Sequence, residues 1–170
     1  MTATSRWTDD HLVGDTLGVV LAGVEAALRA DPAVETNLGM LHELGETRQL
    51  LAAISIATLD QLGDGLDGGR TPSAGDLAAA LLDRAVQFHL APPSAVHAAA
   101  SRLDVVARRD RWQLQAELRR SRAANSDAGL VDGAIALLAA VVELSARRRG
   151  LPPELMAERL CLAASSPQPS

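Results

Sequence analysis

Arg108, Arg111, Gln115, Arg119 and Arg122 recur at intervals of three and four residues. On one continuous helix they fall within an arc of about 80 degrees, with Trp112 on its border. Guanidinium groups in such a row make forked, two-point contacts with phosphates or carboxylates, and an indole beside them can stack on a base. Three readings follow from the same residues. The row is a nucleic-acid face, a face for an acidic protein surface in the same chain or a second subunit, or a solvated helix side. The last is supported by Asp104, four residues before Arg108, and Glu117, three before Arg120, which form ordinary helical ion pairs.

Charge decides part of this. Residues 1–83 carry 13 acidic side chains and 4 arginines, a net of −9, while residues 84–170 carry 8 acidic side chains and 12 arginines, a net of +4, which together give the −5 of the chain. A negative whole with a basic second half favours contact with protein over nucleic acid, whose binders carry a clear basic footprint. A helix-turn-helix across Leu90-Ala91-Pro92-Pro93-Ser94 is disfavoured, because the turn lacks glycine and the following helix is too long for a groove-reading element.

Other chemistries find less to work with. His11, His42, His89 and His97 invite a metal, and His42 stands four residues before Glu46, yet no Glu-x-x-His or His-Glu-x-x-His spacing occurs. Asp60, Asp64 and Asp67 lack the alternating order and distal glutamate of a calcium loop. The lone Cys161 lies between Leu160 and Leu162, where it reads as a small buried hydrophobe, and it allows no internal disulfide. All 16 basic residues are arginine, so a phosphate-binding Gly-Lys-Ser/Thr loop and Schiff-base chemistry are excluded. No cofactor and no metal are expected. An active site assembled from Glu43, Glu46, His42, Arg48, His89 and His97 would leave no local signature, and an enzyme with such a site stays as an alternative.

The elements that must position these residues are helical throughout. The chain holds 32 alanines and 27 leucines, has few β-branched residues and shows no period-two alternation, so an all-α bundle of about six helices is expected. Residues 1–164 form its single domain, with a mobile glycine-rich loop at 63–72 and a disordered tail at 165–170. Thr8 caps a first helix over about residues 9–30, where Val13, Leu17, Leu21, Val24 and Leu28 mark a buried face. Asp31 and Pro32 start a second helical region over about 33–62, bent near Gly39 or Gly45. A third helix runs over about 74–90 and turns at Pro92-Pro93. A fourth, the long arginine-rich helix, runs over about 94–124 and would be about 45 Å long. Asn125-Ser126-Asp127 breaks it, and an apolar central helix extends to Arg149 with Gly150 as its stop. A short sixth helix covers about 153–164.

Gly129–Ser145 still contains Asp132 and Glu143 and falls short of a membrane span. No secretory pattern opens the chain, so a cytoplasmic location is expected. Apolar residues surround most of the central helix, which must be covered by the other helices or by a second subunit. The functional expectation is a small helical interaction module, regulatory, adaptor or accessory, acting as a homodimer or with a protein partner. The alternative is a nucleic-acid-associated regulator using the arginine-rich helix at 102–122.

Overall fold

The computed structural model describes residues 10–44, 50–51, 54–55, 57–58, 61, 74–107 and 111–165. Among these the chain forms seven helices and no strand: α1 Asp10–Leu28, α2 Val34–Leu44, α3 Ala74–Gln87, α4 Pro93–Ala107, α5 Arg111–Ala124, α6 Asp127–Arg149 and α7 Pro153–Ser165. The described residues between 50 and 61 are helical as well. The protein is all-α, as its composition requires. Thr8 and the glycine-rich loop at 63–72 lie outside the described residues, as do 166–170 of the tail expected to be disordered; its first residue, Ser165, ends α7.

α6 is the hub. Ile135, Leu137, Leu138, Val141 and Val142 are fully buried, and α1, α3, α4 and α7 pack around it, with α2 and α5 touching it more lightly. By length and apolarity α6 would cross a bilayer, yet 72% of its most apolar window is buried against the rest of the chain, the pattern of a core helix. The cover that its apolar circumference demands therefore comes from within the chain. Among the described residues only Met40 and Trp112 remain as exposed large hydrophobics, at 50% and 83%.

Helix ends follow local rules. Ser126 caps α6, its hydroxyl accepting from the Gly129 amide at 3.0 Å, and Gly150 ends it in the left-handed region at φ 67°. α1 ends in the same manner without glycine: Asp31 N–H donates to Ala26 O, Ala30 N–H donates to Ala27 O, and Ala30 sits at φ 52°. α2 is described over Val34–Leu44, and Leu50 and Leu51 are helical as well.

The long arginine-rich helix does not form. α4 ends at Ala107, α5 begins at Arg111, and Ser94 Oγ meets Asn125 Oδ1 at 2.8 Å, so the chain reverses and α5 returns alongside α4. A straight helix over 94–124 would carry half of its apolar stripe beyond the body. Folded back, Ala95, Val96, Ala99 and Leu103 of α4 are buried, and so is Leu118 of α5. The charge-dense run Arg108-Arg109-Asp110-Arg111 is the part with least to bury. α4 lies very close to α6: a Cβ on Gly133 would stand 2.7 Å from the carbonyl carbon and oxygen of Ala95.

Candidate interaction face

α5 has two unlike sides. Leu118 and Ser121 are buried, and the Glu117 side chain is nearly so, all turned toward α4. On the far side Trp112, Gln115, Arg119 and Arg122 are exposed and span an arc of about 80 degrees. Four of the six residues expected to form a recognition row are thus gathered on one exposed helix side. Arg108 lies outside the described residues, and Arg111 opens α5 with its side chain outside them.

A carboxylate already sits against this side: Arg122 donates from Nε and Nη2 to Asp127 at 2.9 and 3.2 Å. Off this side, Arg120 donates to Glu117 at 2.8 Å, the helical pair expected from the spacing. Arg119 is exposed and makes no ion pair among the described residues.

Beneath the face lies a charged seam. Arg102 of α4 is buried, at 4% exposure. Desolvation pushes its guanidinium below its ordinary pKa; the nearby Glu117 carboxylate opposes the shift, and Arg122 adds to it. Arg102 shares an arc with the buried Ala95, Ala99 and Leu103, and that periodicity was the signal that could have placed it inside.

Two further polar struts reach α6. His42 Nε2 lies 2.8 Å from Asp132 Oδ1, joining α2 to the hub; burial raises the Asp132 carboxyl pKa and the hydrogen bond to His42 opposes it. Arg84 holds Glu143 through two hydrogen bonds of 2.8 and 2.7 Å, its guanidinium 4.4 Å from the Phe88 ring centroid, and Arg147 adds a third bond to Glu143 at 2.9 Å. The hydrogen bond to Arg84 is the main cause that lowers Glu143 below the ordinary carboxylate range. A carboxylate inside an apolar helix needs a partner, so Asp132 and Glu143 each signalled an unlike side chain on a neighbouring helix.

The alternative catalytic set is not gathered among the described residues. His42 sits at the α2–α6 junction with Glu43 exposed beside it, whereas His89 and His97 are exposed at the α3–α4 corner and on α4. Glu46, Arg48, Asp60, Asp64 and Asp67 lie outside the described residues, as do the side chains of His11 and Cys161. Among the described residues no group of three or more His, Cys, Asp or Glu stands close enough to hold a metal ion.

The architecture defines an all-α bundle around one apolar helix, with α4 packed on that helix and the polar α5 laid alongside α4. Comparison with family models, curated proteins and solved structures gives no match.

Proposed function

We propose that this chain is a helical interaction module, a cytoplasmic regulatory, adaptor or accessory protein that binds a protein partner through the outer side of α5. The observation that carries this reading is Trp112, 83% exposed on the same arc as Gln115, Arg119 and Arg122. Tryptophan and arginine dominate the energetics of protein interfaces, and burying a largely exposed indole against a partner is favourable. The Arg122–Asp127 pair supports this, because a guanidinium on this side already donates to a carboxylate, the group an acidic partner would bring. The same pair reduces what is left for phosphate, so a nucleic-acid partner ranks second.

Replacing Gln115 with a photoreactive benzoylphenylalanine, in the protein produced in its own cells, tests the reading. Discrete protein adducts that vanish with Trp112→Ala are expected. Adducts to nucleic acid in place of protein overturn it, and so do protein adducts formed equally from the same probe at the exposed Glu158 of α7.

A further inference from the structure

We propose that the outer side of α5 docks on the outer side of α2 in a second copy of this chain. The inference rests on the reading of α5 as a recognition face and names what that face recognises. It starts from the two large hydrophobic side chains left exposed among the described residues: Trp112 on a basic helix and Met40 on an acidic one. Glu35, Gly39 and Glu43 follow one another at intervals of four, so they form one line along α2, with Met40 and Thr36 beside it, and all five are exposed. Gly39 has nothing within 4 Å of the position its Cβ would occupy. Lacking a side chain, it leaves bare helix backbone between the Glu35 and Glu43 positions, next in sequence to Met40.

The α5 side is the complement. Trp112 supplies a flat apolar group for this bare backbone, and the indole meets the polarisable thioether of Met40. Arg119 lies seven residues further on, about 10.5 Å along the helix, while Glu43 lies four residues from Gly39, about 6 Å. The reach of an arginine side chain spans the difference. Arg119, Glu35 and Glu43 make no ion pair among the described residues, so the contact joins charges that have no other partner there. Among the described residues α2 rests on α1 and α6, and α5 on α4 and α6, and Met40 and Trp112 are exposed.

Sedimentation of the full chain over rising concentration, with paired charge reversals, tests this. The wild type is expected to associate beyond 17.8 kDa. Arg119→Glu alone and Glu43→Arg alone each weaken association by about tenfold or more through facing like charges, and the double variant regains it. Both positions are exposed, so thermal melting of each variant stays near that of the wild type. A wild type that is monomeric at every concentration overturns the proposal, as do single reversals without effect or a double variant that does not recover. If the wild type is monomeric while crosslinking from position 115 to a different protein persists, self-docking alone is lost; if both fail, the recognition reading falls with it.

Discussion

Adding a single methyl group to Gly133 probes the contact that seats the α4–α5 hairpin on the hub. The new Cβ would stand 2.7 Å from Ala95 C and O and 3.0 Å from Ala95 Cβ. Non-bonded carbons settle at about 3.5–4.0 Å, so the shortfall is about 1 Å. The obstacle is helix backbone, which cannot swing aside as a side chain would, so α4 as a whole must move away from α6. That motion loosens Val96, Ala99 and Leu103 together, which places the strain near the upper end of the usual overpacking cost, about 3 kcal/mol. The better helix propensity of alanine returns about 1 kcal/mol, leaving Gly133→Ala less stable by about 2 kcal/mol. For a chain of this size the melting temperature then falls by about 4–8 °C. In urea the midpoint should fall while the slope is unchanged, because the surface exposed on unfolding is the same. Gly39→Ala is the matched control: the identical chemical change, on an exposed helix position in open space, is expected to raise stability by about 1 kcal/mol. A Gly133→Ala protein that melts at or above the wild type refutes the close approach of α4 to α6.

Three other perturbations test the polar framework. Glu143→Gln should lose about 1–2 kcal/mol at neutral pH, the upper value discounted because Arg84 is partly solvated. The Glu143 carboxyl is lowered in the folded state, so its contribution is present above about pH 4.5 and disappears as pH falls through the folded pKa; urea titrations of wild type and variant should converge in acid and diverge toward neutrality. Arg102→Glu sets a second carboxylate beside Glu117 in the buried seam and should cost about 3 kcal/mol or more by the same titration, whereas Arg102→Met, which leaves Glu117 its bond from Arg120, should change stability little. Ala30→Gly relieves an L-residue at φ 52° and should raise the melting temperature by a few degrees, about 0.5–1 kcal/mol, with no change expected if the turn lacks the left-handed geometry.

Helix identity was legible because it depends on local patterns. The Ser126 start and the Gly150 stop of α6 follow from capping chemistry confined to a few residues, and the burial of α6 follows from its unbroken apolar circumference. The hairpin between α4 and α5 was not legible. Helix propensity through Ala107 and beyond is good, and no glycine or proline interrupts residues 94–124. What reverses the chain is tertiary: two short helices can each bury a face where one long one cannot. The struts failed for a related reason. A pairing such as His42 with Asp132 spans 90 positions, so local spacing pointed His42 toward Glu46 and could not reach its partner. Of the candidate face, the share from Trp112 to Arg122 was legible because it sits on a single helix, while Arg108 lies outside the described residues.

The self-sufficient core changes where association has to be sought. Had α6 lacked cover, a second copy would have been recruited by apolar area, and polar substitutions on the surface would have mattered little. With α6 covered from within, the large exposed hydrophobics among the described residues reduce to Trp112 and Met40, each on a helix of opposite charge, so the association proposed above would depend on local shape and charge. Gly39 then serves two opposed purposes. As a helix residue in open space it lowers the stability of the monomer, and in the docking proposed above the bare backbone it leaves between Glu35 and Glu43 would receive the indole of another copy. Gly39→Ala should therefore raise the melting temperature measured in dilute solution by about 2–4 °C while weakening association at high concentration. Melting and sedimentation on the same preparation separate the two effects. A variant that gains stability and associates as the wild type does would show that the indole is seated elsewhere.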